Sequence, residues 1–274
     1  MSKTLTITHN AGIFSCYSIR LQEIIKYFND NKCLPEIVDS SQQFALYKNT
    51  NIDLSKILFD ESDISIDFND IISISKTNDE VQFSNFDLLN FEYINLFIDK
   101  YFKPTQAINF ITDRFVEKYL IVFEETCSVF YRGNDKITET NIPDYDVFFD
   151  KCKKIKEDNQ NIRFLVQTDE YEFYEEFSKI FTNSTRIDEI PMIRKQNSVV
   201  HQQIPRSELT QFAMNFLAAT LIVSKCNFLV TNSGNCGYWS VLFRGNSKNV
   251  YQYLTTGRNI EFNPNLVEYN YWSK

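Results

Sequence analysis

The order of apolar and polar positions predicts strands that alternate with helices from the start of the chain. Residues 4–9 (TLTITH) alternate in polarity as a half-buried strand does. Residues 15–31 are predicted to form a helix whose buried face carries these apolar residues: Ile19, Ile24, Ile25 and Phe28. Another short strand is predicted at 36–41. A strand, a helix and a strand in this order are typical of a βαβ unit.

The alternation is clearer in the second half of the chain. Strands are predicted at 127–133, 162–169 and 227–233. Helices are predicted at 144–159, 170–181, 207–226 and 236–245. Strands that alternate with helices imply an α/β fold with parallel, doubly wound sheets.

The pattern is less regular between these segments. Residues 50–80 are rich in Asp, Ser and Ile, and alternation at 63–68 (DISIDF) and 71–76 (IISISK) predicts strand or extended chain there; helices are predicted at 85–102 and 104–120. The length of 274 residues fits two Rossmann-like domains. We place them at 1–120 and 121–274, with the last helix as a candidate to pack back on the first domain.

The net charge and the lack of long apolar runs limit the classes of partner that the chain can bind. A net charge of -8 disfavours general attraction to nucleic acid or to an anionic membrane surface. The first residues lack the apolar stretch of a signal peptide. We find no run of the roughly 18 apolar residues that a membrane span requires. We therefore expect a soluble cytoplasmic protein, of unspecified oligomeric state.

The cysteines do not form a metal-binding pattern. Six are present, and no two have the C-x-x-C spacing: Cys16, Cys33, Cys127, Cys152, Cys226 and Cys236. Only two histidines are available to help them. We expect free thiols in a reducing compartment, no metal site and no bound cofactor.

Three predicted strands of the second half end in polar residues. They are found at 132–136 (RGNDK), 168–170 (TDE) and 231–235 (TNSGN). Ligands of doubly wound folds bind beyond the carboxyl ends of the strands, where these loops would meet. Each loop taken alone is also typical of a solvated turn or a helix cap. Their common location favours a binding site.

The cations and small residues of these loops suit a phosphate group. Arg132 offers a planar fork of donors for phosphate oxygens, and Lys136 adds a mobile point charge. Asn232, Ser233 and Gly234 precede a predicted helix, whose first amides can approach a phosphate closely. These five residues are predicted to bind the donor of a transfer reaction.

The acids have more than one possible use. Asp169 could accept a hydrogen bond from the N–H edge of a base or from a ribose hydroxyl. Asp135 or Glu139 could act as a general base on an acceptor hydroxyl, or could hold Arg132 in place. We predict Arg132, Asp135 and Glu139 as catalytic residues.

Two further loops supply candidates for the acceptor side. His9, Asn10 and Gly12 follow the first predicted strand, and His201 lies in a loop of the second half. The first loop would lie opposite the second-half site if two domains face each other. Each of these residues could equally serve only its own turn.

Residues 127–245 resemble the donor-binding half of the fucosyltransferase superfamily. The resemblance lies, in order, in 130–139 (FYRGNDKITE), 164–173, His201 and 217–239 (LAATLIVSKCNFLVTNSGNCGYW). The superfamily includes α-1,6-fucosyltransferases, nodulation-type chitooligosaccharide fucosyltransferases, protein O-fucosyltransferases and α-1,2 enzymes. The resemblance implies two facing Rossmann-like domains, the GT-B arrangement. The resemblance also implies metal-independent transfer, with inversion, from GDP-fucose to a glycan. Because the chain is smaller than the membrane-anchored Golgi relatives, we expect a bacterial or viral origin.

The resemblance also implies individual roles. Arg132 matches the arginine that holds the β-phosphate of the donor, and Asp135 and Lys136 match the acid and lysine that follow it. Glu139 lies one residue from the position of a downstream glutamate. Asp169 matches the acid that contacts guanine.

At other positions the match is mixed. Ser233 matches a serine on the phosphate side. Phe130 stands where many members have histidine, and Gly133 replaces their second arginine. These departures leave a UDP-linked or other nucleotide sugar open as donor. A further alternative is a nucleotide-binding protein that has lost catalysis. Another is metal-dependent transfer through the D-x-D tripeptide at 144–146.

Overall fold

Strands and helices alternate along the computed structural model, which describes residues 4–48, 52–64, 66, 82–196, 198–255 and 270–274. The strands are β1 (Thr4–Thr6), β2 (Ile37–Asp39), β3 (Phe59–Asp60), β4 (Lys103–Pro104), β5 (Thr126–Tyr131), β6 (Arg163–Thr168), β7 (Ser184–Thr185), β8 (Phe228–Asn232), β9 (Val250–Thr255) and β10 (Asn270–Trp272). The α-helices are α1 (Ile13–Asn31), α2 (Ser55–Leu58), α3 (Phe91–Tyr101), α4 (Gln106–Lys118), α5 (Tyr145–Asp158), α6 (Tyr171–Ile180), α7 (Leu209–Lys225) and α8 (Asn235–Arg244).

The central sheet is built from the second half of the chain. Within the described residues it has six strands in the order β10-β9-β8-β5-β6-β7. The β9–β8–β5–β6–β7 pairs are parallel, and β10 joins antiparallel to β9. The prediction of an α/β fold with a mostly parallel sheet is confirmed. Because the chain runs outward from β5 in both directions, the switch point of the sheet lies between β5 and β8.

The first half has smaller sheets. Among its described residues, β1 and β2 form a parallel two-stranded sheet, and β3 and β4 an antiparallel one. The division into domains at 1–120 and 121–274 stays a prediction. Most of the chain predicted as strand or extended at 63–68 and 71–76 lies outside the described residues. Helix α2 was not predicted; at its start, Asp53 Oδ1 accepts hydrogen bonds from the Ser55 amide at 3.0 Å and the Ser55 hydroxyl at 2.6 Å.

Apolar clusters flank the central sheet on both faces. Alternate residues of β5 point to opposite faces. Val129 and Tyr131 pack with α5 and α6, whereas Phe130 packs with α7 and the first half of the chain. None of the helices in the described ranges combines the length and apolar character needed to cross a bilayer.

Helix α8 contacts the first half directly. The Trp239 ring lies 5.3 Å from the Tyr17 ring, and its indole Nε1 donates to Ser18 Oγ at 2.9 Å. Ser18 Oγ donates in turn to Asn235 Oδ1 at 2.8 Å. Helix α8 ends at Gly245, which has φ +71° and whose amide donates to Leu242 and Val241 carbonyls. These contacts fix the start of α8 against α1.

Candidate functional site

A cavity of about 280 Å³ lies at the carboxyl ends of β5, β6 and β8. The loop that precedes α1 forms its opposite wall. Most of the predicted site residues line this cavity: Gly12, Arg132, Asp135, Lys136, Glu139, Asp169, His201, Asn232, Ser233 and Gly234. The parallel sheet therefore brings the ends of separate strands together, as the pattern predicted.

Arg132 is held by two carboxylates. Its Nη1 donates to Asp169 Oδ2 at 3.0 Å, and its Nη2 donates to Asp135 Oδ1 at 2.8 Å. The arginine side chain is 22% exposed, so it still reaches the cavity. Burial lowers the pKa of Arg132, but the charges of Asp169 and Asp135 raise it more, and the net shift is upward. The guanidinium is therefore a permanent cation with a fixed orientation.

Asp169 anchors the loop that carries Arg132. In addition to the arginine bridge, its Oδ1 accepts from the Gly133 amide at 2.8 Å. Burial raises the pKa of Asp169, and Arg132 and the Gly133 amide oppose that rise. Both carboxylate oxygens thus accept hydrogen bonds from the loop. The predicted contact of Asp169 with a base stays a prediction.

Residue 133 has to be glycine because the Glu170 side chain occupies the space beside it. A Cβ at this position would lie 2.1 Å from Glu170 Oε1. Glu170 is buried; it accepts from the Asn134 amide at 2.7 Å and from the Tyr145 hydroxyl at 2.5 Å. The space beside the loop is therefore taken by a carboxylate, which excludes any side chain larger than hydrogen at residue 133.

Lys136 lies at the other side of the loop. Its Nζ is 2.5 Å from Glu139 Oε2, donates to Gln82 Oε1 at 3.1 Å, and lies 4.9 Å from the centre of the Phe83 ring. Lys136 is 4% exposed, whereas the Glu139 side chain is 47% exposed. The ammonium group is thus buried at the cavity wall and the glutamate is open to solvent.

The first turn of α8 faces the same residues. The Gly234 amide donates to the Gln82 carbonyl at 3.0 Å, and the Asn235 amide donates to Gln82 Oε1 at 3.1 Å. Gly234 has φ +147°, a conformation that favours glycine, and a Cβ there would lie 3.3 Å from Lys136 Cε. Cys236 follows as a protonated thiol, since burial raises its pKa to about 11. Lys136 and the start of α8 therefore share Gln82 as their acceptor.

Asn232 and Ser233 support this arrangement. The Asn232 side chain accepts from the Arg132 amide at 3.2 Å and donates to the Arg132 carbonyl at 2.8 Å. Ser233 Oγ accepts from Gln252 Nε2 at 3.1 Å and from the Thr255 amide at 3.2 Å. These polar groups bind the chain itself, so their predicted contacts with a donor remain predictions.

The acceptor-side candidates divide into two groups. Gly12 and His201 line the cavity, whereas His9 reaches it through Ser15, whose Oγ lies 3.1 Å from His9 Nε2. Asn10 instead fastens its own loop, donating to the Gln42 carbonyl at 2.7 Å. Burial and the charge of Arg132 lower the pKa of His201, and Asp135 opposes them only in part. His201 is therefore more readily neutral than an exposed histidine.

The cavity has an aromatic end that the sequence pattern did not single out. The Phe130 and Phe216 rings are stacked with centres 6.4 Å apart, and Phe212 stacks on Phe216 at 5.5 Å. Gln167 lies beside Phe130 in the sheet register and also lines the cavity. The motif comparison identified Phe130 only as a departure, and the helical spacing of Phe212 and Phe216 is that of an ordinary buried face.

The D-x-D tripeptide lies elsewhere. Asp144 and Asp146, at the start of α5, border a different pocket together with Tyr145 and Glu170. In the described parts of the chain, no group of at least three His, Cys, Asp or Glu side chains is placed to hold a metal ion. The tripeptide is not part of the cavity that Arg132 lines.

Comparisons with known proteins give structural neighbours alone. No family model matches, and no curated protein is similar enough to count. The fucosyltransferase NodZ from Bradyrhizobium has a TM-score of 0.53 and 10% identity, over 98% of this chain and 99% of that one.

Other fucosyltransferases match over shorter regions. The NodZ α-1,6-fucosyltransferase co-crystallised with GDP has a TM-score of 0.38 and 10% identity. The match covers 58% of this chain and about half, 47%, of that chain. A variant of FUT1 from Arabidopsis thaliana in complex with GDP has a TM-score of 0.38 and 12% identity, over 58% of this chain and 35% of that one. The longer match carries the conclusion: the chain has, over nearly its whole length, the fold of a fucosyltransferase, as the motif resemblance predicted.

Proposed function

We propose that the chain is a glycosyltransferase with the GT-B arrangement. It transfers fucose from GDP-fucose to a sugar hydroxyl of a glycan, with inversion and without a metal ion. The observation that carries the proposal is the convergence of Arg132, Lys136 and the first amides of α8 on one cavity at the switch point of the sheet. The fucosyltransferase fold supports the choice of donor.

The cations act on the leaving group. Negative charge develops on the departing diphosphate, and donors that are already oriented stabilise it without reorganising. Arg132 is oriented by Asp169 and Asp135, and Lys136 is oriented by Glu139. The N-terminus of α8 adds backbone amides and the positive end of a helix dipole. Phosphate oxygens would replace Glu139 and Gln82 as acceptors.

The exchange releases a carboxylate for proton transfer. Asp135 shares two hydrogen bonds with Arg132, at 2.8 and 3.1 Å, and its side chain is 22% exposed. Glu139 is more exposed and loses its partner when Lys136 turns to a phosphate. We therefore assign general-base action on the acceptor hydroxyl to Glu139 and the positioning of Arg132 to Asp135.

The first half supplies the acceptor side. The end of the loop before α1 and the first turn of α1, residues 11–15, form the wall opposite the cations, and Gly12 has no heavy atom within 4 Å of the place where a Cβ would stand. An acceptor sugar can therefore approach over Gly12. On this assignment the region at 1–120 binds the acceptor and the region at 121–274 binds the donor.

A turnover assay tests the proposal. GDP-fucose and a UDP-sugar are offered with a panel of glycan acceptors, with and without EDTA, and GDP binding and nucleotide release are measured. The product's anomeric configuration is read by proton NMR. Lys136→Met should lower kcat by about a hundredfold, as the loss of one oriented donor does. Lys153→Met is the matched control, because Lys153 also pairs with an acid three residues away but its side chain is 49% exposed.

The outcomes separate the rivals. Nucleotide release from the UDP-sugar alone would indicate a UDP-linked donor and the same type of transfer reaction. Binding of GDP with no turnover across the panel would indicate a nucleotide-binding protein. Turnover abolished by EDTA, or an unaffected Lys136→Met variant, would contradict the proposal.

A further inference from the structure

Gln167 has a buried amide without a partner. It lies in β6, is 3% exposed, and forms part of the cavity wall. Its Nε2 makes no hydrogen bond with any described residue. Of the buried polar side-chain atoms that lack a partner in the described ranges, this is the one on the cavity. An unpaired buried donor costs free energy, which a ligand group that accepts from Nε2 would recover.

The surroundings of Gln167 suit a flat apolar ring. Phe130 is its direct neighbour in β5, and the stacked Phe216 and Phe212 continue the surface. Ile190 and Pro191 line the same cavity. An aromatic heterocycle can bury its faces here while one polar group meets its edge.

The position of Gln167 relative to the cations fits a nucleotide. Strand β6 lies on one side of β5, and β8 with the start of α8 lies on the other. Neighbouring strands are about 4.8 Å apart, so Gln167 in β6 and the start of α8 after β8 are separated by roughly 10 Å across the sheet, with Arg132 at the end of β5 between them. A nucleoside diphosphate can place its phosphates at one end and its base at the other.

We propose that Gln167 recognises the nucleobase of the donor. A carboxamide donates through Nε2 and accepts through Oε1, so it pairs with a base edge where a ring carbonyl lies beside a ring N–H. Guanine and uracil both have such an edge. Asp169, to which the motif resemblance gave this task, already accepts from Arg132 and Gly133 with both oxygens. The inference deepens the proposed function and rests on it.

Binding to the Gln167→Met variant tests the inference. Methionine keeps the length and removes the hydrogen bonds. Affinities for GDP, UDP and inorganic pyrophosphate are measured by calorimetry in EDTA. We expect the affinity for the nucleotide that binds the wild type to fall about tenfold or more, the range of a lost hydrogen-bonded base contact. The affinity for pyrophosphate should not change. Gln160→Met, at an exposed position of the same residue type, is the control.

The melting temperature separates recognition from a structural role. Because the variant loses an unpaired buried donor, the empty protein should melt at the same or a higher temperature. A lower melting temperature with equal losses for nucleotide and pyrophosphate would overturn the inference, and so would unchanged nucleotide affinity. A change confined to the KM of the acceptor would assign this end to the acceptor sugar instead. If the wild type binds pyrophosphate but no nucleotide more tightly, the inference alone fails; if it binds neither, the proposed function fails with it.

Discussion

The two ends of the cavity satisfy their polar groups in opposite ways. At the cationic end, Arg132 and Lys136 donate to Asp169, Asp135 and Gln82. At the aromatic end, the Gln167 amide nitrogen is buried and unpaired beside stacked phenylalanine rings. The donors of the cationic end are paired within the chain, whereas the amide nitrogen at the aromatic end has no partner among the described residues.

Because of this difference, the two ends should contribute differently to ligand binding. A ligand at the cationic end exchanges one set of oxygen acceptors for another, so only the surplus appears as affinity. A ligand at the aromatic end buries apolar surface and pairs a group that had no partner. We therefore expect affinity to come mainly from the aromatic end, and rate and charge selectivity from the cationic end.

Replacing Arg132 should have the largest effect on kcat/KM. Arg132→Ala should lower kcat/KM by about a thousandfold or more, since the charge that offsets the leaving diphosphate is lost. The same change leaves Asp169 buried without its cation, so circular dichroism must accompany the kinetics. Arg132→Lys keeps a charge and should recover part of the rate without the two-pronged geometry.

A control arginine completes this test. Arg194 also bridges an acid, Glu172, but its side chain is 74% exposed. Arg194→Ala should keep both rate and fold. An Arg132→Ala variant that retained most of its kcat/KM while folding normally would contradict the catalytic role of the cationic end.

Gly133→Ala should disturb the loop itself. A methyl group would lie 2.1 Å from the Glu170 carboxylate, so the loop must move, at a cost of about 1–3 kcal/mol, which is typical of overpacking. Gly12→Ala, with open space around it, should change the free energy of unfolding little. Urea denaturation measures both.

A double mutant shows whether the clash is the cause. Adding Glu170→Ala to Gly133→Ala removes the carboxylate that the methyl group meets. The two changes should then be less than additive in the free energy of unfolding. Additive losses would refute the steric account of Gly133.

Gln82→Ala should raise the affinity of the cationic end for an anion. Without the side-chain oxygen, Lys136 and the Asn235 amide have one fewer internal acceptor. The affinity for pyrophosphate should rise by about threefold to tenfold, because less internal contact has to be replaced. Calorimetry measures the change, with Gln160→Ala as a control. A weaker affinity would mean that Gln82 supports the ligand rather than competing with it.

His201 provides the smallest effect, and it depends on pH. Its pKa in the folded protein lies below the ordinary value of 6.5, chiefly through burial. The unfolded chain therefore takes up the proton first as pH falls, and stability from this group is present above 6.5 and is lost below it. Between about pH 7.5 and about pH 5.5, the urea midpoint should fall more in the wild type than in His201→Gln. Equal falls would remove His201 as the cause.

The sequence predicts the second half of the fold well because strands and helices there are long enough to show their periods. It also predicts the cationic end, since Arg132, Asp169 and Gly234 each follow a strand and parallel strands end at one edge. Strands β7, β9 and β10 were not predicted. β7 has two residues and β10 has three, which is too short to show a period, whereas β9 is as long as β5 and was still missed.

Other parts of the site depend on contacts that no local pattern records. Gln82 meets Lys136 across 54 positions of sequence, and it follows a segment with little periodicity. Glu170 explains Gly133 only once the loop and β6 are placed side by side. Gln167 looks like any polar residue near a strand end until its burial and its missing partner are known.

The most direct test of the account is a comparison of GDP, guanosine and pyrophosphate as ligands of the wild-type protein in EDTA. If both ends of the cavity bind one nucleotide, GDP should bind more tightly than either fragment. At 100 times its Kd it should then add about 2.7 kcal/mol to the free energy of unfolding, which thermal denaturation detects easily. GDP that binds no better than pyrophosphate, or that needs a divalent cation to bind, would contradict the account.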